Sequence, residues 1–180
     1  MLSGSICDLI ASKKNLCCIS APAPDLTSVE WELRKVGGGY LVQNPDRFVS
    51  RRADWKVVTE AQPPGDQWDD MDMVWTVCAY AKSNAVILVK DGVTWDIGAG
   101  QQNRRDSGRL AGEKAAGRAA GGVYAGDAFF PFSDGLDGVI SAGATTVIQP
   151  GGSTGDQKVI DRADEAGPAM IFTGERHIRH

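Results

Sequence analysis

Thr145-Thr-Val-Ile-Gln149, Pro150-Gly-Gly-Ser-Thr-Gly155, the stretch from Asp156 to Ala166 and Ala169-Met-Ile-Phe-Thr173 follow one another with almost nothing between them. The first block predicts a buried strand, the second a glycine turn, the third a helix and the fourth a last strand. Strand, helix and strand joined by short links predict an α/β layered domain. The turn itself admits two readings. Free backbone N–H groups and the helix dipole converge where a glycine-rich turn opens a helix, which makes a generic anion site; the plainer reading is a flexible strand-to-helix turn. No Lys-Ser/Thr follows the glycines, so a P-loop is excluded.

Upstream the same alternation continues. Ala85–Lys90 predicts an apolar strand, Asp91-Gly92 is a hairpin signal and Val93–Gly98 is the partner strand. The Ala-rich stretch 106–120 predicts a helix in which Gly108, Gly112 and Gly117 cost stability unless something packs closely on them. Residues 123–125 predict a strand and 136–142 a helix. Over 67–81 Trp68, Met71, Val74, Trp75, Cys78 and Ala79 recur at helical spacing, with Asp69, Asp70 and Asp72 at the positive end of the helix dipole. Those aspartates read as a solvated helix start rather than a metal site. Before Pro63-Pro64-Gly65, a short helix is predicted over 3–13 and strands over 16–20 and 55–59. Two further strands flank Gly37-Gly38-Gly39, read as a bulge or a place of close approach.

At 180 residues the chain is expected to be one domain, or a fragment of a larger one, and it is long enough to bury a real core. Its net charge of -4, with both signs mixed along the chain, points away from nucleic acid and from a membrane surface. No apolar run reaches transmembrane length. Four cysteines (Cys7, Cys17, Cys18, Cys78) without CxxC spacing indicate neither a disulfide framework nor zinc, and a cytoplasmic location is expected.

Between strand and helix, Gly126-Asp-Ala-Phe-Phe-Pro-Phe-Ser-Asp134 sets three phenylalanines and a proline between two aspartates. It reads either as a core-plugging turn with solvated carboxylates or as a pocket wall for a flat heteroaromatic ligand. Gly98-Ala99-Gly100 lacks the third glycine of a dinucleotide fingerprint and follows a hairpin, so a Rossmann site is rejected. Gln101, Gln102, Asn103 and Arg104 read as a polar lip. Arg176, His177, Arg179 and His180 read as a basic tail, whose loss is expected to cost little stability. The strand before it delivers the tail to the carboxyl edge of the sheet, where ligands bind in open α/β sheets.

Taken together, Ser83-Asn84-Ala85, the run Gly98–Arg104, Asp127–Phe132, Gln149–Ser153 and the ending Thr173–His180 resemble, in this order, the C-terminal portion of the bifunctional purine-biosynthesis family, the AICAR transformylase/IMP cyclohydrolase. Ser12–Leu16 and Val36–Gln43 are similar to it as well. The resemblance implies an α/β mixed sheet flanked by helices, of the cytidine-deaminase-like kind. It implies a single domain over 1–180, with an N-terminal crossover segment (1–62) and an α/β core (63–180). The implied activity is formyl transfer from 10-formyltetrahydrofolate, as co-substrate, to the amino group of AICAR in purine (IMP) biosynthesis, with no metal. Carried over by position, Asn84 and His180 are implied as catalytic. Asn84, Arg104, Phe129 and Arg176 are implied for AICAR; Arg105, Asp134, Ser153 and Thr154 for the folate. The implied partners are the nucleotide, the folate, and either a second copy or a complementary transformylase half, without nucleic acid or membrane.

The chain departs from the family pattern in several places. The family's catalytic Lys-His pair has no counterpart here, and the resemblance leads one to expect no cyclohydrolase domain within these 180 residues. Gly126 stands for the usual Ser, Arg105 for an aliphatic residue, and Asp96 interrupts the usual Gly-Ile-Gly-Ala-Gly. The alternative expectation is therefore a non-catalytic nucleotide- and folate-binding or assembly fragment.

Overall fold

The computed structural model describes residues 10, 11, 13, 15, 16, 19, 21, 22, 31–48 and 51–179. The elements expected over 3–13 and 16–20 therefore lie largely outside the described residues, and so does His180. The chain divides into two compact units, residues 1–45 and 46–180.

In the first unit, β1 (Glu32–Val36) and β2 (Gly39–Gln43) form an antiparallel hairpin with Glu32 opposite Gln43 and Val36 opposite Gly39. Gly37 and Gly38 make the reversal, a hairpin turn rather than the bulge or close approach expected, and Gly39 opens β2. Gly38 sits at φ 87°, a left-handed conformation that costs glycine nothing.

The second unit is a six-stranded mixed sheet flanked by helices, the α/β layering read from the strand–helix–strand pattern. The strands are β3 (Lys56–Val57), β4 (Val86–Lys90), β5 (Val93–Gly98), β6 (Val123–Gly126), β7 (Thr146–Gln149) and β8 (Ala169–Phe172), in the spatial order β3-β8-β7-β6-β4-β5. β6, β7 and β8 are parallel, while β4 runs antiparallel to both β5 and β6, and β3 antiparallel to β8. The helices are α1 (Trp68–Tyr80), α2 (Arg104–Ala115), α3 (Leu136–Ser141) and α4 (Asp156–Ala166).

Alternation along the strands sorts side chains between the two faces. Val86 and Leu88 of β4 join Tyr124, Val147 and Met170 under α2, α3 and α4. Ile87 and Val89 join Val123, Ala125, Ile148 and Ile171 under Met71, Val74, Trp75 and Cys78 of α1. Both faces are covered, which is why these strands read as continuous apolar runs.

Local chemistry fixes the joints. Asp91 at φ 54° and Gly92 at φ 72° make the tight β4–β5 turn. The Asp70 carboxylate accepts from both of their backbone N–H groups, at 2.8 and 2.7 Å. Of the three α1 aspartates, then, Asp70 clamps the hairpin, while Asp69 and Asp72 pair with Arg52. The α2 glycines are used for close packing. A Cβ on Gly108 would lie 2.8 Å from the Tyr124 hydroxyl, and Gly138 of α3 faces it.

The tail is the main correction. His177 is 2% exposed, packed against the rings of Phe48 and Trp75 at 5.4 and 5.6 Å. Its Nδ1 lies 3.1 Å from both carboxylate oxygens of Asp46. Further on, the Arg179 backbone exchanges hydrogen bonds with Ser83, accepting at 2.7 Å and donating at 3.0 Å, and its guanidinium stacks on Tyr80. Residues 174–179 carry no regular structure, yet they finish the core beside α1, so their loss costs stability rather than little.

Candidate functional site

β6, β7 and β8 end on one edge of the sheet, and β5, antiparallel to the strand beside β6, ends there too. The segments 83–85, 99–103, 127–132, 150–155 and 173–179 gather at that edge. It is the edge at which open α/β sheets bind ligands.

Asn84 precedes β4 through a cis Ser83–Asn84 peptide. Its side-chain amide donates to the Gln101 carbonyl at 3.1 Å, and its own carbonyl accepts from the Ser107 hydroxyl at 2.7 Å. Arg104 opens α2, whose first turn is capped by Asn103 accepting from the Asp106 N–H at 2.8 Å. The Arg104 guanidinium pairs with Asp127 and donates to the Phe129 carbonyl at 3.0 Å and to Asn84 Oδ1 at 3.4 Å. Three of the expected nucleotide residues, Asn84, Arg104 and Phe129, therefore form one connected unit. Phe130, next to Phe129, is fully buried, and its N–H donates to Gln149 at 3.0 Å. Within the aromatic stretch Phe130 plugs the core while Phe132 is 71% exposed, and Asp127, 1% exposed, is buried rather than the solvated carboxylate of the core-plug reading.

Arg104 and Arg105 line a groove of about 930 Å³ between α2 and α3, with Tyr124, Phe130 and Phe132 supplying aromatic rings and Pro131 beside them. Arg105 is exposed at its rim. Ser153 and Thr154 sit on the turn before α4, which approaches the aromatic stretch where Gly155 nears the Pro131 carbonyl. That turn is not an open anion cradle. Gly152 N–H and Ser153 N–H donate to the carboxylate of Asp156 at 2.7 and 3.1 Å, and Gly155 N–H to the Ser153 hydroxyl at 3.1 Å. The helix supplies its own anion. Arg176 is exposed on the tail, and among the described residues no hydrogen bond or ion pair joins it to the Asn84–Arg104–Phe129 unit. Asp134 lies in the 3-10 turn Ser133–Gly135 that leads into α3.

Two participants escape a sequence reading, Ser107 and Asp46, and the role of a third, Asp127, does too. Asp127, 1% exposed, is the ion partner of Arg104. Ser107 holds the Asn84 backbone, and Asp46 holds His177. Only the aspartate flanking the phenylalanines carried any signal, as a polar end of the aromatic stretch. Burial pushes the Cys78 thiol well above its ordinary value, with the Asp127 carboxylate adding to the shift and Arg104 opposing it. Burial likewise raises the Tyr124 hydroxyl. Among the described residues no cluster of His, Cys, Asp and Glu has the grouping of a metal site, and no helix is long and apolar enough to cross a membrane.

Fold and site together define a layered α/β domain with an arginine- and aromatic-lined groove. The family described as AICARFT/IMPCHase bienzyme matches residues 3–114. Proteins named bifunctional purine biosynthesis protein PurH align over 96% of this chain. The one from Lysinibacillus sphaericus is 42% identical over 173 residues, that from Neisseria meningitidis 46% over 176, and that from Streptococcus suis 46% over 174. The chain belongs to the AICARFT/IMPCHase bienzyme family. It spans about a third of the length of these relatives, 34%, 33% and 34% respectively.

Proposed function

We propose that this chain supplies the nucleotide- and folate-binding edge of a formyltransferase in purine biosynthesis, working in the cytoplasm. The formyl group passes from 10-formyltetrahydrofolate to the 5-amino group of AICAR. The observation that carries this reading is the Arg104 guanidinium, 10% exposed, held among Asn84, Asp127 and Phe129 beside an aromatic-lined groove. An apolar wall with a few fixed polar groups suits a flat, donor-rich ligand.

In the transfer, the amine nitrogen bonds to the formyl carbon, the bond from that carbon to folate N10 breaks, and a proton leaves the amine for the departing nitrogen. The amine is a weak nucleophile because its lone pair delocalises into the ring and carboxamide, so orientation and proton handling carry the catalysis. By assignment, Asn84 orients the base, Arg104 and Arg176 take the nucleotide, Phe129 packs on the base, and His180 serves the reacting amine. Arg105, Asp134, Ser153 and Thr154 face the folate. A second copy or a complementary transformylase half completes the site.

One observation favours a second reading, a binding module without turnover. The chain has two histidines and no Lys-His pair, and one of the two, His177, is buried against Asp46. Calorimetric titration with AICAR and then a folate analogue, followed by a formyl-transfer assay, separates the two. Saturable binding of both with turnover supports the transferase. Binding without turnover supports the module. No binding of either removes both readings.

A further inference from the structure

Arg104 has five N–H hydrogens, and its hydrogen bonds account for three of them: two on one terminal nitrogen, to Asp127 and Asn84, and one on the other, to the Phe129 carbonyl. Its Nε makes no hydrogen bond although it is buried, and neither does the second oxygen of Asp127. The pair is therefore single-bonded rather than a two-pronged fork. Its position is set from two sides. Asp127 is fixed at the end of β6, where its backbone N–H donates to the Ala85 carbonyl at 3.3 Å. On the other side, Gly126 presents no side chain; a Cβ there would stand 3.3 Å from Arg104 Nε and 3.4 Å from its Cδ.

We infer that Asp127 is a positioning residue: it sets the Arg104 guanidinium in one place against Asn84 and Phe129, with the bare Gly126 giving that guanidinium its room. Asp127 is too buried to meet a ligand itself, so it acts through the arginine. The inference rests on the nucleotide-site reading above for its effect on binding. Its effect on Arg104 itself is independent of any ligand.

The test uses the 180-residue chain with Asp127→Asn and Gly126→Ala. The first removes the charge at constant shape. The second crowds the guanidinium while leaving the ion pair's charges intact. Asp127→Asn is expected to weaken AICAR binding roughly tenfold, the size of one charge-assisted hydrogen bond, and to leave folate-analogue affinity within about twofold. Gly126→Ala is expected to shift AICAR affinity in the same direction by less. The terminal guanidinium N–H signals of Arg104, on the nitrogen that pairs with Asp127, are expected to be shifted and slowly exchanging in the parent and to collapse toward the free-arginine position in Asp127→Asn. Parallel loss of both ligands, or unchanged AICAR affinity, overturns the inference. If the parent binds no AICAR the formyltransferase reading falls, and the arginine signal alone decides: no change in Asp127→Asn overturns the positioning role. Should Asp127→Asn fail to fold, the AICAR affinity and the arginine signal of Gly126→Ala decide in the same way.

Discussion

Cys78 shows how one buried atom couples stability to pH. Its thiol is 1% exposed, and burial holds the proton on it well above the ordinary value of 9.0. In the unfolded chain the same thiol ionises at that ordinary value. Above it the unfolded state binds fewer protons than the folded one, so stability falls as pH rises. Urea midpoints measured from pH 7 to 10 are expected to decline from about pH 9, and Cys78→Ala to flatten the early part of that decline. The Tyr124 hydroxyl, raised by burial in the same direction from 10.0, leaves a later part in place. At this scale the sequence was readable for apolar residues and poorly readable for polar ones. Helical spacing put Trp75 and Cys78 on one buried face, which local pattern can do. Nothing local showed that Asp127 meets Arg104, because the partners come together only when β6 and α2 are packed.

Elements were legible wherever their limits depend on neighbouring residues. α4 begins and ends where expected, and the β4–β5 hairpin closes on Asp91-Gly92. α2 shows how limits go astray. It starts two residues earlier than expected because Asn103 caps it, and it stops at Ala115 because Ala116 turns left-handed at φ 51°. The turn before α4 was open to being an anion site because a glycine run supplies amides. What the run does not reveal is that Asp156 reaches back to them. Asp156→Ala is expected to cost about 1 kcal/mol in thermal melting, and inorganic phosphate is expected to stabilise that variant more than the parent. The tail was the least legible element. Its residues are basic and terminal, and the partner of His177 lies 131 positions away. His177→Ala is expected to lose about 3 kcal/mol of stability by urea denaturation, since it empties a ring-sized space and leaves Asp46 unpaired.

For the molecule as a whole, five segments far apart in sequence share one edge of one sheet, so ligand and fold are linked. AICAR or a folate analogue at a hundred times its dissociation constant is expected to stabilise the chain by about 2.7 kcal/mol, read as a rise in melting temperature. An unchanged melting temperature at that excess would mean that the ligand does not distinguish folded from unfolded chain. The layered architecture was visible from alternating strands and helices, and the edge that carries the site followed from it. That Arg104 is already paired with Asp127 was not visible, because pairing depends on strand order and no residue announces its neighbour in a sheet.

The packing of His177 against Trp75 also gives the molecule an optical voice of its own. Trp75 is fully buried and meets the imidazole edge-on, whereas Trp31 is 61% exposed. The blue end of the indole emission therefore belongs to the indole that the tail covers. Any event that lifts the last residues away shifts that emission to the red, so docking of the tail can be followed in real time without a label.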